Sequence, residues 1–270
     1  MNMKSKIALV TGASSGIGQA TAERLAKAGY TVYGTSRRMS NAGQRSFEML
    51  LLDVTNDESV DAAVRKVIEQ QGRIDLLVNN AGFGVAPAGA EESSIEQAQS
   101  IFDTNFFGTV RMTRAVVPHM RRQGSGRIVN IGSVLGFLPM PYMALYSATK
   151  HAVAGYSESL DHELRKMGIR VSVVEPAYIN TSFDVNLMKP DAPLDVYREI
   201  RASVEKRVKE ALVGADGPGI VAEIVLKAAT AAHPEIHYTP GLARRMRLLR
   251  RFAPASVLDA GVRKDLRLEV

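Results

Sequence analysis

Short apolar runs alternate with longer amphipathic segments along most of the chain. Seven runs rich in Val, Ile and Leu have the length of strands, and their continuous apolar character is typical of strands covered on both faces. These runs are Ile7–Thr11, Thr31–Thr35, Phe47–Asp53, Leu76–Asn79, Arg127–Ile131, Val171–Glu175 and Ile236–Thr239. Because strands that alternate with helices form parallel βα units, the pattern predicts an α/β fold.

The segments between the strands carry apolar side chains at helical spacing. The predicted helices are Ile17–Ala28, Ser59–Gln70, Ser94–Arg121, Ala144–Met167 and Leu194–Leu212. Several helices are followed by a glycine, which suits the left-handed residue that commonly ends a helix; these are Gly29, Gly72, Gly124 and Gly168. Since no Pro-rich or Gly/Ser-rich linker divides the chain, we expect residues 1–270 to form one domain, a doubly wound, seven-stranded parallel sheet with helices on both faces.

Composition narrows the chemistry that the chain can perform. Its 270 residues, 46% of them hydrophobic, can bury a full core. The chain has no cysteine, which excludes disulfides, thiolate nucleophiles, iron–sulfur clusters and cysteine-ligated zinc. The five histidines show no ligand spacing with a carboxylate partner, so no metal is predicted. Neither a signal-peptide pattern nor a run of about 18 apolar residues is present, and we therefore expect a cytoplasmic protein.

The net charge of +6 is concentrated at the C-terminal end. Residues 241–270 form a basic C-terminal extension with eight basic and three acidic side chains, whereas the remainder of the chain is close to neutral. The stretch Arg244–Phe252 is typical of a basic amphipathic helix that rests on an anionic membrane surface. A solvated helix and a contact between subunits are the alternatives. No aromatic interleaving or reader motif supports a nucleic-acid partner.

The first predicted strand runs into a glycine-rich turn, Thr11–Gly18, and then directly into a helix. Glycine at positions 12, 16 and 18 permits a sharp turn, a close approach to a pyrophosphate and tight packing of helix on strand. The phosphate charge would lie at the helix N-terminus. The turn therefore predicts a dinucleotide site, with an ordinary tight turn as the alternative.

The end of the second strand bears on the choice between NAD and NADP. An acidic residue there would bind the ribose 2′-hydroxyl, but this chain has Ser36, Arg37 and Arg38. An arginine can pair with a 2′-phosphate through bidentate hydrogen bonds. We therefore predict NADP(H), with Arg37 as the first clamp and Ser36 and Arg38 assisting it. The alternative is that the arginines face solvent.

Tyr146 and Lys150 lie four residues apart at the start of a predicted helix, so their side chains share one face. A phenol has an ordinary pKa of about 10 and is a poor base at neutral pH, but a neighbouring ammonium favours the phenolate. Ser133, at the end of the fifth strand, can hydrogen-bond a substrate oxygen. Together these side chains indicate acid–base chemistry at a carbonyl or alcohol carbon.

These motifs occur in one order along the chain: the glycine turn, Asn79-Asn80-Ala81-Gly82, Ser133, and the Tyr-x-x-x-Lys pair. In that order and spacing, residues 6–183 resemble the classical short-chain dehydrogenase/reductase (SDR) family. The resemblance implies a Rossmann fold, an oxidoreductase and a homodimer or homotetramer. It also implies that Asn105 completes the catalytic set of Ser133, Tyr146 and Lys150, by holding a water that relays protons to the lysine.

The resemblance also implies a cofactor site. Its expected residues are Gly12, Ser14, Ser15, Gly16, Ile17, Gly18, Ser36, Arg37, Arg38, Asp53, Val54, Asn79, Ala81, Gly82, Tyr146, Lys150, Pro176, Ile179 and Thr181. Asp53 matches an acid that accepts a hydrogen bond from the adenine amino group, with a solvated strand-end carboxylate as the alternative. The chain departs from the family at Ala177, where the family usually has glycine, and the added Cβ would lie beside the nicotinamide.

The segment between Ser133 and Tyr146 is almost wholly apolar and corresponds to a wall of the family's substrate cleft. With residues 182–212 as a variable lid, the predicted substrate pocket contains Leu135, Phe137, Met140, Met143 and Phe183. Apolar walls suit a hydrophobic, steroid-like or retinoid-like carbonyl or alcohol, whereas core packing under the loop is the alternative. An NADP-binding redox sensor or regulatory protein without turnover is the rival function.

Overall fold

In the computed structural model, seven parallel strands form one sheet; the structure describes residues 5–38, 45–181, 183 and 187–268. The strands are β1 (Ile7–Val10), β2 (Thr31–Ser36), β3 (Glu48–Leu51), β4 (Leu76–Asn79), β5 (Gly126–Ile131), β6 (Ile169–Val174) and β7 (His237–Tyr238). Their order is β3-β2-β1-β4-β5-β6-β7, with every neighbouring pair parallel. The strand order reverses between β1 and β4, and a ligand crevice forms at such a switch point.

Helices cover both faces of this sheet, which confirms the predicted single doubly wound domain. The helices are α1 (Gly16–Lys27), α2 (Asp57–Gln71), α3 (Ile95–Phe102), α4 (Gly108–Gln123), α5 (Ala144–Leu164), α6 (Arg198–Leu212), α7 (Gly219–Thr230), α8 (Leu242–Phe252) and α9 (Ala255–Asp265). One hydrophobic core lies between the sheet and α2, α4 and α5, and a second lies between the sheet and α1 and α7. Among the described residues, no helix combines the length and apolar character needed to cross a membrane.

The predicted helix Ser94–Arg121 is wrong as a single element. The Ser94 hydroxyl accepts a hydrogen bond from the Gln97 amide at 3.1 Å and begins α3 as predicted. A π-helical turn, Asp103–Phe107, then separates α3 from α4. Such a turn inserts one residue into the helical repeat and commonly occurs at functional sites. Here it contains Asn105.

Three helices in the last quarter of the chain complete the fold. Helix α7 packs on α1 and was missed by the sequence pattern, whereas α8 lies within the basic extension. Arg207 of α6 bonds Asp265 of α9 at 2.6 Å, and Arg267 bonds Glu210 of α6 at 3.0 Å. The basic extension is therefore folded against the predicted lid.

Candidate active site

The glycine turn has the geometry of a cradle for a pyrophosphate. Gly12 and Gly16 adopt left-handed backbone angles, with φ of 65° and 56°, which disfavour any other residue. A Cβ added to Gly18 would lie 2.2 Å from the Gly12 carbonyl oxygen, so α1 packs against the turn more closely than a side chain permits. The N-terminus of α1 begins at this turn. The residues present therefore fit a dinucleotide.

Asn80 holds this turn in place. Its side-chain amide donates to the carbonyl oxygens of Thr11 and Gly12 at 3.0 and 3.1 Å. In return, the Thr11 hydroxyl oxygen accepts hydrogen bonds from the backbone amides of Asn80 and Ala81. The Asn-Asn-Ala-Gly segment after β4 thus shapes the cradle through Asn80, whose role was not recognised in the sequence.

Asn79 lies in a different, buried network. Its amide donates to the Asn130 side-chain oxygen at 2.9 Å, and Asn130 in turn donates to the Ser157 hydroxyl at 2.9 Å. This chain of bonds joins β4, β5 and α5 below the cleft. The Asn79 side chain therefore belongs to the framework of the sheet and lies outside the cavity lining, and its part in cofactor binding stays a prediction.

The end of β2 places two cations on the cleft. Arg37 and Arg38 line the cavity and are exposed, and neither forms an ion pair with the described residues. The Ser36 hydroxyl oxygen accepts a hydrogen bond from the Arg38 amide at 3.3 Å. Arg45, which was not predicted, donates to the carbonyl oxygens of Ala13 and Ser14 and places a third cation behind the glycine turn.

Asp53 is an anion set back from the cleft. Burial alone would raise the pKa of this carboxyl, but hydrogen bonds from Thr55 and the charges of Arg37 and Arg111 outweigh burial and hold the pKa below its usual value. Its Oδ1 accepts from the Thr55 amide and hydroxyl at 2.9 and 2.7 Å. The neighbouring Val54 lines the cavity, whereas Asp53 does not.

Tyr146, Lys150 and Ser133 line the same cavity as the glycine turn. The Lys150 ammonium donates to the Ile131 carbonyl at 2.8 Å and lies 5.5 Å from the centre of the Tyr146 ring. Burial lowers the pKa of Lys150 to about 8. The Ser133 hydroxyl oxygen accepts a hydrogen bond from the Leu135 amide at 3.1 Å, and its hydrogen has no acceptor among the described residues.

Asn105 faces the backbone of the loop after β4. Its Oδ1 accepts from the Phe83 amide at 2.9 Å, and its Nδ2 donates to the Phe83 carbonyl at 2.8 Å and to the Thr149 hydroxyl at 3.2 Å. The side chain therefore bridges this loop and α5, one residue before Lys150. Its part in a proton relay stays a prediction.

Four of the five predicted substrate-pocket residues line the cavity: Leu135, Met140, Met143 and Phe183. The Phe183 ring lies 5.8 Å from that of Tyr146. Phe137 lies outside the cavity lining: its ring packs against the Arg247 guanidinium at 5.3 Å, and its carbonyl accepts from Arg250 at 3.1 Å. Phe137 thus contacts α8, and its part in substrate binding stays a prediction.

A buried carboxylate attaches the predicted lid to the body of the domain. Glu92 is fully buried and accepts hydrogen bonds from the backbone amides of Gly89 and Leu194, at 2.7 Å each, and from the Arg201 guanidinium on α6. A buried charge that loses one partner is strongly destabilised. These bonds therefore hold α6 beside the cleft.

The cavity has a volume of about 1050 Å³ and is larger than the sequence indicated. Beyond the predicted residues it is lined by Thr35, Leu52, Asn80, Phe83, Pro87, Thr104, Ile131, Gly132, Val134, Leu138, Pro139, Ala177, Tyr178, Leu187, Val208, Leu212, Met246, Leu249, Ala253, Val257, Leu258, Gly261, Val262, Asp265 and Leu266. Predicted residues outside its lining are Gly18, Asp53, Asn79, Asn105 and Phe137. Much of the additional surface comes from α6, α8 and α9.

A glycine cradle and a Tyr–Lys pair on one cavity are the arrangement of a dinucleotide-dependent oxidoreductase. The chain belongs to the short-chain dehydrogenase family, since the family model described as short chain dehydrogenase matches residues 6–192. A 3-ketodihydrosphingosine reductase from Bacteroides thetaiotaomicron is 48% identical over 186 residues, which cover 68% of each protein. The predicted family is therefore confirmed.

Solved structures of short-chain dehydrogenases have the same fold as this chain. A short-chain dehydrogenase/reductase from Burkholderia phymatum in complex with NAD is 27% identical, with a TM-score of 0.78 over 93% of this chain and 95% of that one. A short-chain dehydrogenase from Burkholderia cenocepacia in complex with NADP is 27% identical, with a TM-score of 0.76 over 97% of this chain and 99% of that one. These relatives support a nicotinamide cofactor for this chain.

Proposed function

We propose that this protein is an NADPH-dependent reductase that interconverts a carbonyl and a secondary alcohol on a lipophilic substrate. The observation that carries the proposal is the placement of Ser133, Tyr146 and Lys150 on the same cavity as the glycine cradle. The named relative that reduces 3-ketodihydrosphingosine acts on a ketone of this lipophilic kind. The apolar residues Leu135, Met140 and other members of the loop wall support such a substrate.

Each side chain has a separate task in the reduction. A nicotinamide cofactor held by the glycine cradle would supply the hydride for the carbonyl carbon. Tyr146 donates its phenolic proton to the carbonyl oxygen, and the Ser133 hydroxyl hydrogen holds that oxygen in line. The Lys150 ammonium, 5.5 Å from the tyrosine ring, stabilises the phenolate that remains. In the oxidation of an alcohol the phenolate takes the proton back.

The preference for NADPH rests on Arg37 and Arg38. For Arg37→Asp we expect the Kd for NADPH to rise about 10- to 100-fold, since a charge-assisted hydrogen bond contributes about 1.5–3 kcal/mol. NADH should bind at least as well as before, because the new carboxylate can accept from the ribose 2′-hydroxyl. Fluorescence titration of both cofactors measures the change. Arg65→Asp, at an exposed position on α2, is the matched control. Tighter binding of NADH than of NADPH by the unaltered protein contradicts the assignment.

A contact of α8 with anionic membranes is a second part of the proposal. On α8, Leu248 and Phe252 are 53% and 75% exposed. Arg244 and Arg245 are exposed beside them and form no ion pair with the described residues. An apolar ridge flanked by cations is complementary to an anionic lipid surface. A cytoplasmic location and a homodimer or homotetramer stay predictions of the sequence.

Flotation with phosphatidylglycerol vesicles at low salt tests the membrane contact. We expect the protein to float with the vesicles and to be released at high salt. The double change Arg244→Glu with Arg245→Glu should weaken binding at least about 30-fold, since each cation near the surface contributes about 1 kcal/mol. The same reversals at Lys27 and Arg65, exposed on α1 and α2, should not. Protein that stays at the bottom of the gradient, or reversals that change the oligomeric mass instead, would exclude the contact.

A further inference from the structure

The cavity continues past the reacting groups into a space between three helices. Its walls there are Val208 and Leu212 of α6, Met246 and Leu249 of α8 with Ala253 directly after this helix, and Val257, Leu258, Gly261 and Val262 of α9, followed by Leu266. We call this space the distal chamber. On each helix these positions recur at helical spacing, so every helix presents one continuous apolar stripe to the same space.

The distal chamber differs in chemistry from the reacting end of the cavity. The reacting end contains aromatic rings, including those of Tyr146 and Phe183. The described lining of the distal chamber consists of aliphatic side chains, one methionine and one glycine, with no aromatic ring. The charged Asp265 at its edge is already paired with Arg207 at 2.6 Å. Flexible aliphatic walls without rings or unpaired polar groups suit a hydrocarbon chain.

The helices that line the chamber are attached to the rest of the domain, and the chamber opens to solvent at Leu249 and Val257, which are each 58% exposed. Arg247 on α8 bonds Glu175, whose side chain is 1% exposed and directly follows β6. Leu266, at the end of α9, is 2% exposed, and Arg267 bonds Glu210 of α6 at 3.0 Å. Polar bonds outside the chamber thus fix its apolar walls. The space is a preformed part of the site.

From this geometry we infer that the distal chamber binds the unbranched hydrocarbon chain of a single-chain lipid whose keto group reacts at Tyr146. The inference rests on the proposed function, because it assigns the keto group to the reacting end. The whole cavity of about 1050 Å³ accommodates cofactor, keto group and chain together. Each methylene group that enters the chamber should raise the affinity about fourfold until the chamber is full.

Gly261 offers a way to shorten the chamber. It lies on the cavity-facing stripe of α9, and a Cβ added there meets no atom within 4 Å. Because Gly261 belongs to the cavity lining, we expect a phenylalanine at this position to take up part of the space that the chain would use. Gly219 begins α7 away from the cavity, and a Cβ there also meets no atom within 4 Å. Gly219→Phe is the matched control.

The experiment compares unaltered protein, Gly261→Phe and Gly219→Phe on saturated 3-keto lipids with chains of about 6 to about 16 carbons. For the unaltered protein and the control, kcat/KM with NADPH should rise with chain length, by about fourfold per methylene over the responsive range. Gly261→Phe should lose at least about tenfold on the long chains and less than about twofold on the shortest one, as expected when only a few methylenes are displaced. Equal losses on all lengths, or no dependence on length, would overturn the inference.

Two further measurements separate this inference from the proposed function. Calorimetry with the matching saturated fatty acids measures chain binding without turnover, and Gly261→Phe should weaken it for the long chains alone. If long fatty acids bind but no ketone is reduced, the result supports the distal chamber as a chain-binding site and contradicts the proposed reductase function. If short ketones are reduced but chain length has no effect, the result supports the reductase function and contradicts the chain-binding inference. If a rigid steroid ketone had a higher kcat/KM than every 3-keto lipid, and if Gly261→Phe lowered that value as strongly as for the long chains, the chamber would be a site for ring systems and the inference would be overturned.

Discussion

Tyr146→Phe should lower kcat for ketone reduction by about 10²- to 10⁴-fold while NADPH still binds. The change removes only the phenolic hydroxyl, and general acid catalysis by one side chain contributes an effect of about that size. The ring would keep its place 5.8 Å from Phe183 and 5.5 Å from the Lys150 ammonium, so the cavity should keep its shape. Stopped assays of NADPH consumption with 3-ketodihydrosphingosine measure the loss, and fluorescence titration measures binding.

Tyr156→Phe is the matched control for this change. Tyr156 lies on the same helix, and its ring packs against Phe106 with centres 5.9 Å apart, outside the cavity lining. Its loss of a hydroxyl should leave kcat within about twofold, as for most changes away from a reacting group. If both variants kept full turnover, the acid–base assignment would be wrong. If the unaltered protein bound NADPH but reduced no ketone or aldehyde, the rival regulatory function would be favoured.

The parts of the fold that could be predicted from sequence are those whose signals are local. Left-handed glycines end three helices where expected, with φ of 75° at Gly72, 65° at Gly124 and 75° at Gly168. The strands were placed correctly, although β3 is shorter than the predicted Phe47–Asp53. Strand β3 lies at the edge of the sheet and pairs with β2 alone, so no second neighbour extends it.

The elements that were missed depend on packing between distant parts of the chain. Helix α7 packs beside α1 on one face of the sheet, and its polar side is limited to Glu223, Lys227 and Thr230, so its sequence gives only a weak amphipathic signal. Helix α8 was expected as a basic amphipathic helix, and only the position of its apolar side was missed. Its arginines dominate the sequence, whereas Met246 and Leu249 can be recognised as a cavity wall only from the packing of α8 beside α6 and α9.

In the candidate site, too, the features with a local sequence signal were found, and those that depend on distant contacts were not. The glycine turn and the Tyr–Lys pair are encoded by spacing within a few residues, so both were found in the sequence. Asn80 and Glu92 form hydrogen bonds with segments 68 to 109 residues away, and no local sequence pattern predicts these bonds. The contact of Phe137 with Arg247 could not be predicted for a related reason, because an apolar loop can turn either side toward the cleft. Motifs thus identify the candidate reacting groups, and tertiary structure decides what surrounds them.

Gly18→Ala should abolish cofactor binding, as it adds one carbon where the fold leaves no room. The new Cβ would lie 2.2 Å from the Gly12 carbonyl oxygen and 2.5 Å from the Asn80 amide nitrogen. The first atom is backbone, so either the turn or α1 must move, and the Asn80 bonds to Thr11 and Gly12 would be lost. We expect the Kd for NADPH to rise at least about 100-fold, since two or more phosphate contacts at about 1.5–3 kcal/mol each depend on the cradle.

Gly155→Ala separates this steric effect from the general effect of replacing a helical glycine. Gly155 lies within α5, and a Cβ there meets no atom within 4 Å. Alanine favours the helix by about 1 kcal/mol over glycine, so this variant should bind NADPH normally and melt at a slightly higher temperature. Gly18→Ala should melt at a lower temperature, because crowding a packed contact costs about 1–3 kcal/mol. Unchanged NADPH binding in Gly18→Ala, in spite of a lowered melting temperature, would show that the turn does not cradle the cofactor, since the pyrophosphate would then tolerate a displaced turn.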